Sequence, residues 1–255
     1  MDGKVVHMNV SGKKIVVVIP AYKAALTLPS VLARIPADVH EQLFKILVVE
    51  DGGEKVPRST DAELLAKYQK IEVLFHEHNR GYGAAQKTGY RRALELGADI
   101  AAMLHADGQY APEELPRLLE PLVTGSADLV LGSRMRSWRS ALRGGMPKYK
   151  FVANICLTQL ENLAYGLRFS EYHSGYMLYS RKALTVVPFE KLSDTFHFDG
   201  EMLLVGAKKG LRVADLAIPT HYGDEESHLK PIKYGFEVLG VIRDYWRGKY
   251  DFPGE

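Results

Sequence analysis

The residues of this sequence that are best suited to chemistry are His105, Asp107 and Gln109, which follow an apolar run ending at Leu104. Side chains at alternating positions of an extended chain point to the same side, so this spacing predicts that an imidazole, a carboxylate and an amide converge on one divalent cation. Mg²⁺ and Mn²⁺ often complete their coordination shells with substrate phosphates, and an imidazole ligand favours Mn²⁺. Such a cation would offset charge on a leaving diphosphate. The alternative interpretations are contacts to a ribose and a polar turn before a helix at Pro112.

A basic segment between residues 134 and 150 is a second candidate site, because it contains no acidic residue and has two adjacent glycines. Arginine side chains bind phosphate through paired hydrogen bonds, so the pattern favours a mobile loop that closes over a phosphate. The alternative is a solvated surface. The cations of the segment are Arg134, Arg136, Arg139, Arg143, Lys148 and Lys150.

Two glycine-containing turns are candidates for nucleotide binding. Glu50 and Asp51 precede a pair of glycines, and a carboxylate there can accept hydrogen bonds from a base or a ribose hydroxyl. Residues 79–83 lead into a predicted helix, whose N-terminus favours anions. The alternative for both turns is that Asp, Asn and Gly only satisfy local backbone geometry.

Two further groups could take part in proton transfer or ligand binding. Asp199 and Glu201 begin a predicted helix, where either carboxylate could be a general base for an acceptor hydroxyl or could complement the helix dipole. His228 lies in a polar loop with three carboxylates. It could bind a metal or a phosphate, and the alternative is a solvated loop histidine.

Alternating strands and helices position these residues. Apolar runs predict strands at residues 15–19, 44–49, 71–75, 99–104, 127–131, 175–179 and 211–218, and helical patterns occupy residues 26–35, 61–69, 83–96, 112–123, 148–166, 199–209 and 231–247. This order is typical of a three-layer α/β/α fold with a mostly parallel sheet. Ligands of such sheets bind beyond the carboxyl ends of the strands, and five strand ends here carry polar or glycine-rich turns.

Composition limits the classes of protein. The chain has 255 residues and a formal net charge of +2, so we expect no nucleic-acid partner. Its single cysteine, Cys156, excludes an internal disulfide and indicates a reducing compartment, and its apolar neighbours predict that it packs in the core. No signal-peptide pattern or membrane-spanning run is present, so a cytoplasmic location is expected.

Six motifs in order make the chain similar to a known family. They are residues 17–22 (VVIPAY), 48–53 (VVEDGG), 79–85 (NRGYGAA), 105–109 (HADGQ), 132–134 (GSR) and 174–176 (SGY). Over residues 13–220 the sequence resembles the family-2 inverting glycosyltransferases of GT-A fold, in particular the dolichol-phosphate mannosyltransferase-like branch. His105 departs from the branch's usual Asp-x-Asp-x-Gln metal motif, because it stands where the first Asp is expected.

The resemblance implies roles for individual residues. His105, Asp107 and Gln109 match the metal motif, and Arg134 would contact phosphate and assist catalysis with Asp107. The nucleotide would be bound by Pro20, Ala21, Tyr22, Glu50, Asp51, Arg80, Gly81 and Ala106. Residues 13–222 would form the GT-A domain, preceded by a flexible tail at 1–12 and followed by a polar loop and amphipathic helix at 223–255.

The combined prediction is a Mn²⁺- or Mg²⁺-dependent glycosyltransferase that uses a UDP- or GDP-sugar and inverts the anomeric centre. A polyprenyl-phosphate acceptor is expected to meet a phosphate-binding loop made by Arg136, Arg139, Arg143, Lys148 and His228. The basic and aromatic C-terminal helix favours peripheral membrane contact or a membrane-subunit partner. The alternatives are a soluble glycan or small hydroxyl acceptor, nucleotidyl transfer, and a non-catalytic sugar-nucleotide binder.

Overall fold

The computed structural model describes residues 12–52, 70–220 and 231–252, and within them a seven-stranded sheet in the order β3-β2-β1-β4-β6-β5-β7. The strands are β1 (Ile15–Ala21), β2 (Lys45–Asp51), β3 (Ile71–His76), β4 (Ile100–Met103), β5 (Leu129–Ser133), β6 (Met177–Ser180) and β7 (Val213–Ala217). The helices are α1 (Leu28–Ala33), α2 (Ala37–Gln42), α3 (Tyr82–Glu95), α4 (Leu115–Val123), α5 (Trp138–Arg143), α6 (Lys148–Tyr165), α7 (Arg181–Val186), α8 (Phe198–Lys208) and α9 (Pro231–Trp246).

The sheet is mostly parallel, as predicted. β1 pairs in parallel with β2 and β4, β2 with β3, and β5 with β7, whereas β6 runs antiparallel between β4 and β5. The carboxyl ends of six strands therefore lie along one edge of the sheet. The strand order reverses between β1 and β4, and this is the position at which open α/β sheets bind ligands.

Both faces of the sheet are covered. Along β1 the side chains alternate: Ile15 and Val17 belong to one buried cluster, and Val16 and Val18 belong to another on the opposite face. α3 lies close to β1 at Gly89, where an added Cβ would overlap the Val18 side chain. This close approach needs glycine, because an interior strand and helix leave no space for another methyl group.

The helix predictions are mostly confirmed, with differences at short elements. α1 is shorter than predicted, and Thr27 precedes it without a side-chain capping bond; its hydroxyl donates to the Ala24 carbonyl instead. α2 and α7 were not predicted, because six residues are too few to show a helical period. The predicted helix at 61–69 lies outside the described residues.

The segment predicted to be a mobile loop, residues 134–150, contains the unpredicted helix α5 in its middle, whereas α6 begins at Lys148 as predicted. Ala141 of α5 is fully buried and packs with Met135 and Met146. The segment is therefore partly ordered by a small apolar cluster of its own.

The prediction that Cys156 packs in the core was wrong, because its side chain is exposed on α6. The buried residues of α6 are instead the polar Asn154, Thr158 and Glu161, together with Tyr165. α9 packs on the same core through Val238 and Ile242. Among the described residues, no helix is both long enough and apolar enough to cross a lipid bilayer.

Candidate active site

A cavity of about 780 Å³ opens at the carboxyl edge of the sheet. Its walls come from the ends of β1, β2, β4 and β5, the start of α3, the start of α6 and the start of α8. Of the residues that the sequence analysis assigned to the site, those that line it are Pro20, Ala21, Tyr22, Asp51, Gly81, His105, Ala106, Asp107, Gln109, Arg134 and Asp199. The fold thus brings residues from four strand ends and the starts of three helices to one volume.

The chain after β4 turns rather than continuing extended, so the extended conformation expected for residues 105–109 was wrong. Gly108 has a φ of 76°, and Asp107 Oδ1 accepts a hydrogen bond of 2.9 Å from the Gln109 backbone N–H. All three side chains nevertheless line the cavity. The polar turn that the sequence analysis kept as an alternative is present and carries the candidate ligands.

His105 is held by aromatic neighbours. Its ring lies 4.5 Å from that of Tyr110 and 5.6 Å from that of Tyr82, between centroids. Its Nε2 is 3.2 Å from the Tyr82 hydroxyl and faces Gly175, where an added Cβ would overlap it. Burial lowers the pKa of His105, while the nearby Asp107 charge opposes that shift. The imidazole is therefore oriented, and one of its two nitrogens is already engaged.

Asp199 is a buried acidic residue in the cavity wall. The Tyr82 hydroxyl donates to Asp199 Oδ2 at 2.8 Å. Burial raises the pKa of Asp199 to about 7, although the bond from Tyr82 acts in the opposite direction. A carboxyl group with such a pKa can both hold and release a proton near neutral pH.

Asp51 organises the turn that leads into α3. Its Oδ1 accepts a hydrogen bond from the Arg80 backbone N–H at 2.9 Å and pairs with His76 Nδ1 at 2.7 Å, and its Oδ2 accepts from the Gly81 N–H at 2.8 Å. Gly81 has a φ of 106°, and an added Cβ would lie 2.5 Å from the Asp194 carbonyl oxygen. The carboxylate predicted to bind nucleotide therefore fixes the backbone of the turn that leads into α3.

Arg134 is fixed by a buried carboxylate that the sequence analysis missed. Its Nε donates to Glu171 Oε1 at 3.0 Å, its backbone N–H donates to Glu171 Oε2 at 2.9 Å, and Asn154 Nδ2 donates to the same carboxylate at 2.8 Å. Glu171 is fully buried. Burial by itself would raise the pKa of Glu171, but the charge and hydrogen bonds of Arg134 outweigh it and lower that pKa. The guanidinium is therefore charged and pre-oriented at the cavity wall.

Three of the residues predicted to act in catalysis or nucleotide binding do not line the cavity. Glu201 is buried and uses both oxygens inside the protein, accepting from Tyr250 Oη at 2.6 Å and from the Ser193 N–H at 2.6 Å. It was therefore the wrong candidate for a general base, and Asp199 remains. Glu50 is buried within β2. The side chain of Arg80 is exposed, and its backbone N–H donates to Asp51.

Most of the basic segment faces away from the cavity. Lys150 lines it together with Arg134, but Arg139, Arg143 and Lys148 are exposed on α5 and at the start of α6. Arg136 lies 3.7 Å from Asp215 on β7. His228 lies outside the described residues, so its predicted role stays a prediction.

The structure adds aromatic residues to one end of the cavity. Tyr149, Leu157, His173 and Tyr234 line the end formed by α6 and α9. His173 Nδ1 and the Tyr234 hydroxyl are 2.9 Å apart. No spacing in the sequence relates residues 149, 173 and 234, so only the tertiary packing of α6, α9 and the segment before β6 brings them together. Glu171 likewise had no local signal.

Comparison with known proteins agrees with this geometry. The family model described as "Glycosyl transferase family 2" matches residues 16–187, and the chain belongs to this family. The protein is therefore a glycosyltransferase. This assignment favours sugar transfer over the nucleotidyl transfer and non-catalytic binding that the sequence analysis kept as alternatives.

Two relatives extend the comparison along the chain. The UDP-N-acetylglucosamine--dolichyl-phosphate N-acetylglucosaminyltransferase of Methanococcus voltae is 28% identical over 222 residues, covering 82% of this chain and 86% of that protein. The undecaprenyl-phosphate mannosyltransferase of Micrococcus luteus is 28% identical over 212 residues, covering 80% and 82% respectively. Each match covers at least 80% of this chain and of the relative.

Among solved structures, glucosyl-3-phosphoglycerate synthase from Mycobacterium tuberculosis in complex with UDP superimposes with a TM-score of 0.66 at 16% identity, covering all of this chain and 87% of that one. The same enzyme with Mn²⁺, UDP and glucosyl-3-phosphoglycerate gives a TM-score of 0.61 at 18% identity. These similarities establish the predicted GT-A fold.

The side chains of His105, Asp107 and Gln109 fit a divalent cation only if a substrate supplies further ligands. Within residues 12–52, 70–220 and 231–252 there is no group of three or more His, Cys, Asp or Glu side chains that could hold a metal. Asp107 supplies a carboxylate at the cavity surface, with the Gln109 amide and the His105 imidazole beside it. Mn²⁺ or Mg²⁺ commonly binds through one or two carboxylates plus substrate phosphates and water, and this set matches that pattern.

Proposed function

We propose that this protein transfers a sugar from a UDP- or GDP-sugar to the phosphate of a polyprenyl phosphate, with inversion at the anomeric carbon and with Mn²⁺ or Mg²⁺ bound. One observation carries the proposal: a single cavity joins Pro20 and Tyr22, which we assign to the nucleotide, the charged centre at Asp107 and Arg134, and the aromatic end at Tyr149. The names of the polyprenyl- and dolichyl-phosphate relatives support the choice of acceptor.

The donor's diphosphate would lie at the charged centre. Arg134 is held in the cavity wall by the buried Glu171, so its guanidinium can meet phosphate oxygens without a large loss of side-chain entropy. When bound, the cation would act as a Lewis acid on the leaving nucleoside diphosphate. Asp107 would be its main protein ligand, with His105 and Gln109 beside it.

A phosphate acceptor needs no protein base, because its oxygen is already ionised near neutral pH. The aromatic end of the cavity would receive this acceptor, with Lys150 as the nearest cation of the basic segment. Its oxygen would attack the anomeric carbon from the side opposite the diphosphate, which accounts for inversion.

A second candidate acceptor is a sugar or small-molecule hydroxyl, and one observation favours it. Asp199 lines the cavity and has a pKa raised by burial to about 7, which suits a general base for a hydroxyl proton. The two acceptor classes therefore differ in whether Asp199 is needed for turnover.

Product extraction separates these functions. The protein is incubated with radiolabelled UDP- and GDP-sugars, Mn²⁺ and either polyprenyl phosphate or a soluble glycan, and the label is partitioned into organic solvent. We expect label in the organic phase, with the Asp199→Asn variant keeping most of that activity. Label only in the aqueous product, lost in Asp199→Asn, would establish the hydroxyl acceptor instead. Release of pyrophosphate rather than nucleoside diphosphate would contradict both.

We also propose that the reaction takes place at the cytoplasmic face of a membrane, with the protein bound peripherally or through a membrane subunit. The support is chemical, since a polyprenyl tail stays in the bilayer while its phosphate lies at the headgroups. Sedimentation of the protein with membranes from its own cells, before and after a salt wash, would test this location.

A further inference from the structure

Tyr82 lines the cavity, and the proposed function gives it no role. It is the first residue of α3, and its hydroxyl lies between side chains from two other elements. The hydroxyl oxygen is 2.8 Å from Asp199 Oδ2, near the start of α8, and 3.2 Å from His105 Nε2, just after β4. It therefore joins a buried carboxyl group to the imidazole beside the candidate cation site.

The chemistry of the three groups decides where their protons lie. A phenol has one proton to donate and lone pairs that accept, whereas an ionised carboxylate only accepts. The Tyr82 hydroxyl donates its proton to Asp199, so its oxygen can only accept from His105. The contact of 3.2 Å is then a hydrogen bond only if His105 Nε2 carries the ring proton.

The Nε2 side of the His105 ring is also closed by packing. An added Cβ at Gly175 would lie 2.3 Å from His105 Nε2 and 2.5 Å from the Tyr82 hydroxyl, so the backbone of Gly175 packs against both atoms. The ring of Tyr110 packs on the imidazole at 4.5 Å between centroids. A cation bound to Nε2 would have to displace one of these groups, because close-packed atoms leave no space between them.

The other ring nitrogen of His105, Nδ1, is the one suited to a cation. An imidazole that binds a metal is neutral, with a proton on one nitrogen and a lone pair on the other. With the proton on Nε2 the lone pair is on Nδ1, and the ring lines the cavity together with Asp107 and Gln109. Histidine ligands usually donate their second N–H to an acceptor that orients the ring. Here that acceptor is a phenol held by a carboxylate.

We propose that Tyr82 is a positioning residue, which holds His105 as the tautomer protonated on Nε2 and so directs Nδ1 to the divalent cation. The inference rests on the proposed function only for that cation, since the tautomer is a property of the protein alone. It gives Asp199 a role that is the same for either class of acceptor, because its carboxylate takes the Tyr82 proton.

Nitrogen NMR of the full chain, with ¹⁵N-labelled histidine, tests the tautomer directly. Spectra are recorded without ligand at about pH 8, above the pKa of about 7 of Asp199, and the variant His105→Gln identifies the signals of this ring. We expect a protonated Nε2 and an unprotonated Nδ1 in the wild type, and a mixture of both tautomers in Tyr82→Phe. A protonated Nδ1 in the wild type, or an unchanged tautomer in Tyr82→Phe, would overturn the proposal.

Two further variants separate the effect of the Tyr82 hydroxyl from a general loss of structure. Tyr165→Phe removes a buried hydroxyl that has no hydrogen-bond partner among the described residues and does not line the cavity, so it should keep the wild-type tautomer. Asp199→Leu removes the acceptor of the Tyr82 proton. The hydroxyl can then donate to His105 Nε2, and we expect the ring proton to move to Nδ1. A folded Asp199→Leu variant with the proton still on Nε2 would contradict the proposal.

Cation binding is measured as the Mn²⁺ concentration that gives half of the melting-temperature rise at a fixed concentration of UDP or GDP. Tyr82→Phe should increase this concentration by roughly 10–100-fold, the usual effect of removing the hydrogen-bond partner of a metal ligand, and Tyr165→Phe should leave it unchanged. His105→Asn places an amide oxygen near the position of Nδ1, whereas His105→Gln places one near that of Nε2. We therefore expect tighter Mn²⁺ binding in His105→Asn, and the reverse order would assign the cation to Nε2.

The two measurements distinguish failure of the inference from failure of the proposed function. If neither UDP nor GDP with Mn²⁺ raises the melting temperature of the wild type, the proposed cation and its bond to Nδ1 are both refuted. The NMR spectra would then still decide whether Tyr82 sets the tautomer of His105. Unchanged Mn²⁺ binding in a Tyr82→Phe variant with an altered tautomer would refute the positioning role and leave the cation site in place.

Discussion

At the scale of single residues, this site depends on groups whose ionisation is set by burial. Asp199 and Glu171 are both buried carboxyl groups, yet their pKa values move in opposite directions. Glu171 has a guanidinium partner and its pKa is lowered, whereas burial dominates at Asp199 and its pKa is raised. A charged neighbour, rather than burial alone, decides the protonation state.

Replacing Asp199 by Asn should change how stability depends on pH. The folded-state pKa of about 7 exceeds that of the unfolded chain, so the carboxyl group destabilises the fold increasingly as pH rises from about 4 to 7. Asp199→Asn removes this penalty. It is at most about 4 kcal/mol, because the pKa in the folded protein lies about three above that of the unfolded chain. We expect the melting temperature of the variant, relative to the wild type, to rise between pH 5 and pH 8 in thermal unfolding scans.

Asp128→Asn is the matched control, because the pKa of Asp128 is lowered in the folded protein whereas that of Asp199 is raised. Hydrogen bonds from Arg212 lower the pKa of Asp128 to about 2, so its carboxylate stabilises the fold above about pH 4 and loses that effect only as the pH falls toward 2. The control should therefore be less stable than the wild type by a constant amount between pH 5 and pH 8. A difference for Asp199→Asn that did not vary with pH would show that the group is already ionised at pH 5.

Glu171→Gln should disturb Arg134 specifically. The glutamine keeps the shape of the side chain but removes the charge that pairs with a guanidinium only 14% exposed. Breaking one side of a buried pair typically costs about 3–5 kcal/mol, which urea unfolding would measure. A double-mutant cycle with Arg134→Gln should give a coupling energy above about 1 kcal/mol. Additive effects would mean that the two side chains act independently.

At the scale of elements, the sheet and α3 determine where the site residues meet. α3 begins with Tyr82, which reaches His105 after β4 and Asp199 in α8. The same helix approaches β1 at Gly89 without space for a side chain. The position of Tyr82 in the cavity therefore depends on close packing about two turns further along the same helix.

Gly89→Ala should destabilise the protein although alanine favours helices. The added Cβ would overlap the buried Val18, and overpacking of this kind costs about 1–3 kcal/mol. Gly240→Ala is the control, because no atom lies within 4 Å of its added Cβ in α9, and it should gain up to about 1 kcal/mol from helix propensity. Both values follow from urea unfolding midpoints. Equal gains in stability for the two variants would contradict the close packing of α3 on β1.

At the scale of the whole molecule, donor and cation binding should stabilise the folded chain. At a ligand concentration of about 100 times the dissociation constant, the gain is about 2.7 kcal/mol. For a chain of this length that corresponds to a rise in melting temperature of roughly 5–10 °C. We expect this rise with an effective UDP- or GDP-sugar plus Mn²⁺ or Mg²⁺, measured by thermal shift, and a much smaller rise when EDTA is added.

Asp107→Ala should abolish the metal-dependent part of this rise, because it removes the carboxylate proposed to bind the cation. Glu120→Ala, at an exposed position of α4, removes a carboxylate that does not line the cavity. This variant should behave as the wild type does. An equal, metal-independent rise in Asp107→Ala would exclude Asp107 as the ligand.

The sequence by itself determined the positions of the strands along the chain and most of the long helices. Its apolar runs and strand-end motifs also predicted the family and the edge of the sheet at which the site lies. These features are local: a strand such as β1 is visible as a continuous apolar run, and its carboxyl end follows from chain direction alone.

Only the tertiary structure decided which residues meet. Glu171 reaches Arg134 from a distant point in the sequence, Glu201 turns inward to Tyr250, and the turn at Gly108 redirects Asp107 and Gln109. The burial of Asn154 on α6 also depends on its neighbours, because its amide donates to Glu171 from another part of the chain. Such contacts join residues without a fixed sequence separation, so no periodicity or motif specifies them.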